Sequence, residues 1–101
     1  MIDLKKLQKE IYDNKMTKGF NISDVNLEFD LIYGELAEAF NAYRKKLPDL
    51  GEELADVAIY LFGLAAILGI DIENEILKKA DKNKKREYKK INGVNVRTKD
   101  A

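Results

Sequence analysis

The chain has 101 residues, 18 basic and 18 acidic side chains, and neither cysteine nor histidine. That length suits one domain with a single core. The lack of cysteine and histidine excludes disulfides, thiolate metal sites, and histidine as general base or zinc ligand. Any metal must be held by oxygen, which favours hard ions such as Mg²⁺ or Mn²⁺. The zero net charge hides an asymmetry: residues 1–70 carry 8 basic and 12 acidic groups, residues 71–101 carry 10 and 6. The start, MIDLKKLQKE, has no apolar signal segment, so a cytoplasmic protein is expected.

With one proline and six glycines, the chain reads as all-α. Leu4, Leu7, Ile11 and Tyr12 recur at helical spacing and predict an amphipathic first helix from Ile2 to about Lys15. Lys18 to Asn21 reads as a loop. Ser23 or Asp24 is placed to cap a second helix running to about Lys45. Lys46-Leu47-Pro48 stops it, and Asp49 with Glu52 resembles a capping box for the third helix. That helix, within Gly51 to Ile70, is apolar, glycine or tyrosine at every position from Val57 onward, which predicts burial on all sides. It is too short to cross a bilayer, which takes about 20 apolar residues.

Asp71 is the expected cap of a fourth helix spanning about Ile72 to Ile91, with Ile72, Ile76, Leu77 and Ala80 as its inward stripe. The domain is expected over residues 1–93, with 94–101 as a loose tail. Short connections between four helices suggest a bundle. Three neighbours cannot cover a wholly apolar helix in so small a chain, so a homodimer or homotetramer is expected.

Two acidic pairs stand out: Glu35 and Glu38 on the second helix, and Glu53 and Asp56 on the third. Each pair is three residues apart, hence on one helix face. Antiparallel packing would bring the four carboxylates together, and a divalent cation would relieve their repulsion. Glu52 points about 100° away from Glu53 and is expected in solvent. Tyr60 lies one turn beyond Asp56, placed either for core packing or against a bound base or sugar. Lys79, Asn83 and Arg86 recur along the fourth helix, either as a solvated face or as phosphate ligands. Phe20, Phe29 and Tyr43 are expected in the core, with a base pocket as the other option.

The segments GELAEAF, EELADVAIYLFGLAAILGIDIE and KKADKNKKREY resemble the MazG-like, all-α nucleoside triphosphate pyrophosphohydrolases over about residues 28–88. The resemblance implies a MazG-type helical fold and Mg²⁺-dependent hydrolysis of a nucleoside or deoxynucleoside triphosphate to the monophosphate and pyrophosphate. Phosphoribosyl-ATP, handled by a related helical family, is an alternative substrate. It implies Glu35, Glu38, Glu53 and Asp56 as metal ligands, with Mn²⁺ as an alternative ion. Glu38 and Glu53 are the implied catalytic carboxylates, and Tyr60, Lys79, Asn83 and Arg86 the implied substrate contacts. The pattern departs at Ile32, where the family usually places an acid; Glu38 or Glu28 is the replacement to look for. The rival functions are a non-catalytic helical assembly and nucleic-acid binding by the basic helix of residues 78–90; the acidic remainder of the chain opposes the latter.

Overall fold

A computed structural model describes residues 1–99. Four helices follow one another: α1 (Leu4–Thr17), α2 (Val25–Arg44), α3 (Leu50–Ile67) and α4 (Ile72–Lys85). Two strands, β1 (Glu87–Ile91) and β2 (Val94–Lys99), close the described chain as an antiparallel hairpin. Asp3, Asp24 and Asp71 each accept a hydrogen bond from a first-turn backbone amide, the N-cap geometry that short acidic side chains favour. Asp24, not Ser23, caps α2. Asp49 makes no side-chain cap bond, so the capping box expected at α3 does not form.

Helix α3 is the centre. It packs against α2 on one side and α1 on the other, and meets α4 at 112°. Gln8 of α1 ties down the α3–α4 turn, donating to the Ile70 carbonyl at 2.8 Å and accepting from the Ile72 amide at 3.3 Å. The buried apolar core is thin and built of small side chains: Ala39, Ala42, Leu64 and Ala65. In consequence α3 is not buried on all sides within one chain. Leu54, Ile59 and Leu61 stay exposed, because α1 and α2 cover only two of its faces. No single helix among the described residues is long and apolar enough to cross a membrane.

The end of the chain departs from expectation. Helix α4 stops at Lys85, not near Ile91, and residues 94–99 form a strand rather than a loose tail. Arg86 already has an extended backbone, with φ −69° and ψ 143°. Asn92-Gly93, at φ 53° and 77°, supplies the paired left-handed conformations of a tight hairpin turn. The β-branched residues Ile91, Val94 and Val96 flank that turn, so local propensity and turn chemistry agree on strands. The proposed inward stripe of α4 is also absent: the helix has no buried residue, and Ile76, Leu77 and Ala80 are exposed.

At the end of α2, Lys46 adopts φ 55°, and the Leu47 amide bonds back to the Ala42 carbonyl. A left-handed residue just past a helix is where glycine carries no Cβ penalty, and lysine does. Lys46→Gly is therefore expected to stabilise the fold by about 1 kcal/mol, read as a higher midpoint in urea with an unchanged slope.

Candidate metal centre

The connection between α2 and α3 is short, so the two helices run back along each other and their acidic pairs face a common space. One carboxylate oxygen from each of Glu35, Glu38 and Glu53 lies within 4.8 Å of the other two. Glu35 and Glu53 are half-buried and Glu38 is exposed, so the cluster opens to solvent on the Glu38 side. Oε2 of Glu53 is sealed from solvent with no hydrogen-bond donor among the described residues. A buried carboxylate oxygen without a donor is costly, and it marks the place where a compensating cation or proton belongs.

The electrostatics agree. Burial pushes the Glu53 carboxyl above its ordinary pKa, and the charges of Glu38, Asp49, Asp56 and Glu35 push it further. Glu35 is raised by burial, then by Glu38 and Asp56. The Tyr60 hydroxyl is raised by burial and by the acids around it, Glu35 foremost. The charges that drive these three shifts are all carboxylates. Like charges are thus held together by the packing of two helices and not by local pairing.

Asp56 is half-buried beside the cluster and is felt by Glu35, Glu53 and Tyr60, but it is not one of the three acids whose oxygens converge. Glu52 is exposed, as its position on the helix implies. Lys79, Asn83 and Arg86 are not brought to the acids within one chain. Helix α4 packs on α1 and α3 but not on α2, Lys79 and Asn83 are exposed, and Arg86 donates to Asn83 at 3.0 Å. Phe20, Phe29 and Tyr43 are exposed rather than core. Phe20 lines a cavity of about 290 Å³ between α1 and α3, together with Ile11, Lys15, Ile59 and Tyr60.

Glu28 does not replace the acid missing at position 32. It is fully buried, 0% exposed, and committed elsewhere. Its Oε1 accepts from Lys15 Nζ at 2.6 Å and its Oε2 from Asn21 Nδ2 at 3.1 Å. Lys15 starts on α1 and reaches α2 by crossing α3 at Gly63, where a Cβ would lie 3.2 Å from the lysine Cδ. Its ammonium sits 5.5 Å above the Tyr60 ring, a cation–π contact. One ammonium therefore ties all three helices to the tyrosine beside the acids.

The family model described as MazG-like family matches residues 26–100. Neither a curated protein nor a solved structure matches the chain.

Proposed function

Because the chain belongs to the MazG-like family, we propose that it is a Mg²⁺-dependent pyrophosphohydrolase that cleaves a nucleoside or deoxynucleoside triphosphate to the monophosphate and pyrophosphate. The observation that carries this reading is the oxygen-only cluster of Glu35, Glu38 and Glu53 around the unpartnered Oε2 of Glu53. Such a donor set fits a hard divalent ion, Mg²⁺ or Mn²⁺. Glu35, Glu38 and Glu53 would hold it, with Asp56 adding negative charge alongside. When bound, the ion neutralises phosphate charge and makes a coordinated water more acidic.

The chain's own groups divide the remaining tasks. Glu38, on the open side of the cluster, accepts the proton of the attacking water at its carboxylate. Glu53 is held in place by the α2–α3 packing and orients that water. The Tyr60 ring, fixed under the Lys15 ammonium, walls the site on the α1 side. Phosphoryl chemistry asks for placement and charge neutralisation more than for covalent help, so the lack of histidine and cysteine is no obstacle. Lys79, Asn83 and Arg86 serve the departing pyrophosphate where a second copy presents its fourth helix, since their own α4 does not pack on α2.

Pyrophosphate release from a panel of ribo- and deoxyribonucleoside triphosphates tests the proposal. Turnover that requires Mg²⁺, and that falls about 100-fold or more in Glu35→Gln and Asp56→Ala, is expected. A folded wild-type protein that hydrolyses no nucleotide on the panel with Mg²⁺ or Mn²⁺ would refute it. Retention of the fold without turnover would instead place the chain among non-catalytic helical assemblies.

A further inference from the structure

Two cavities share Lys15, Phe20 and Tyr60 in their linings. The polar groups peculiar to the one that reaches α2, about 270 Å³, are already paired. Glu28 is taken up by Lys15 and Asn21. Asn21 Nδ2 also donates to the Asp24 carbonyl, and its Oδ1 accepts from the amides of Ser23 and Asp24. The cavity between α1 and α3, about 290 Å³, is different. Ile11, Phe20, Ile59 and Tyr60 give it apolar and aromatic walls, and Glu10 and Asn14 give it polar groups one helical turn apart. Among the described residues neither the Glu10 nor the Asn14 side chain has a hydrogen-bond or ion-pair partner.

The backbone fixes Phe20 beside this cavity. Its amide donates to the Lys15 carbonyl at 2.9 Å and the Gly19 amide to that of Met16 at 3.1 Å, with Gly19 at φ 70°. This is a Schellman ending of α1, whose outgoing residue commonly packs on an apolar side chain in the last turn. Here the positions facing it are Lys15 and Asn14, so the turn supplies no apolar partner and Phe20 stays 55% exposed. The volume is at the lower limit for ligand pockets, room for one ring system and not for a whole nucleotide. Aromatic walls stack on a planar heterocycle of any identity, so the polar groups are left to select it. Tyr60 joins the cavity to the acidic cluster, since its hydroxyl feels the charges of Glu35, Asp56 and Glu38.

We propose that this cavity takes the base of the substrate nucleotide, and that Glu10 selects cytosine or adenine, which carry an amino group, over uracil or thymine, which carry a carbonyl there. The inference rests on the nucleotide reading of the acidic cluster. An ionised carboxylate only accepts hydrogen bonds. It accepts from N4 of cytosine or N6 of adenine, and it repels O4 of the keto bases. Asn14 offers both a donor and an acceptor, so it tolerates either state of the neighbouring ring nitrogen. Lys15, its ammonium held by Glu28, contributes its aliphatic stem.

Cytidine and uridine exchange an amine for a carbonyl at that position, as do adenosine and inosine, and none of the four brings a phosphate for the acids to repel. Each is titrated into the full-length, metal-free protein, and the isoleucine methyl resonances report the cavity through Ile11 and Ile59. Cytidine and adenosine are expected to move those signals and to bind about tenfold more tightly than uridine and inosine. Glu10→Gln should erase most of that preference, and Phe20→Ala should weaken all four. Both side chains are exposed, so helical circular dichroism should not change. Equal affinity within each pair, a preference untouched by Glu10→Gln, or no binding that moves the Ile11 and Ile59 signals would overturn the proposal. Nothing is hydrolysed in this test, so the two readings fail separately. Discrimination by a protein without turnover would leave the base site standing and refute the hydrolase. Turnover of CTP and UTP at equal kcat/KM would do the reverse.

Discussion

Lys15→Met is expected to destabilise the fold by about 3–5 kcal/mol, because it strands a carboxylate that has no access to water. Glu28 is completely buried, and the ammonium of Lys15 reaches it at 2.6 Å. Asn21 supplies one more donor, to the other oxygen, and an amide cannot neutralise a charge. Burying an ion pair is not itself a large gain, since desolvation offsets most of the attraction, but removing one partner leaves the full penalty of the other. The double variant Lys15→Met with Glu28→Leu is therefore expected to recover most of the loss. Urea denaturation of the four proteins in the cycle gives the coupling directly. Equal and additive losses in the two single variants would show that the pair does not act as a unit.

The second large effect has the opposite sign. Glu53→Gln is expected to make the metal-free protein more stable at neutral pH, although it removes a residue assigned to function. Burial and four neighbouring acids raise the Glu53 carboxyl above its ordinary pKa, and Glu35 is raised as well. A carboxyl whose folded pKa lies above its unfolded value keeps its proton better when folded. The folded state then binds more protons than the unfolded one, and stability falls as pH rises from the unfolded carboxylate pKa, about 4.3 for glutamate, through the raised folded value. The metal-free wild type should thus melt higher at about pH 5 than at about pH 7.5. Glu53→Gln should flatten that slope and raise the neutral-pH melting temperature. Mg²⁺ or Mn²⁺ at neutral pH should raise the wild type's melting temperature and leave the variant's unchanged. A wild type whose stability climbs between those two pH values would contradict the shifts.

These two effects come from features of unequal visibility in the sequence. The acidic pairs were legible because a three-residue spacing puts both members on one helix face whatever surrounds them. The convergence of Glu35, Glu38 and Glu53 follows from a short turn between two helices. Asp56 obeys the same spacing yet does not join the three, since spacing specifies a face and not a distance. The Lys15–Glu28 pair carried a fainter signal. Leu4, Gln8, Ile11 and Lys15 fall at the three- and four-residue steps of one stripe, so a lysine on that face of α1 needed a buried partner. Which acid would answer it depended on Gly63 opening a path across α3, and that is a tertiary fact.

The end of the chain was misread for a different reason. The run DKNKKREYKK suits an exposed helix by propensity, and Gly93 alone resembles a helix stop. The dipeptide Asn92-Gly93 between Ile91 and Val94 is the stronger signal, because only a tight turn with two left-handed residues uses it fully. Burial of α3 was overestimated because hydropathy reports what a helix would bury, not how many neighbours one chain supplies. Leu54, Ile59 and Leu61 remain exposed where α1 and α2 end their coverage. In the same way, Lys79, Asn83 and Arg86 have the spacing of phosphate ligands but sit on a helix that does not pack on α2.

Glu35, Glu38 and Glu53, whose oxygens converge within 4.8 Å, are proposed to hold a hard cation. Titration of the full-length protein with Mn²⁺, followed by the electron paramagnetic resonance of the free ion, tests it without reference to any substrate. Saturable binding that Mg²⁺ competes away, weakened at least tenfold in Glu53→Gln with the helical content unchanged, is the predicted result. Binding of equal strength in wild type and Glu53→Gln, or none at all in a folded wild type, would contradict it.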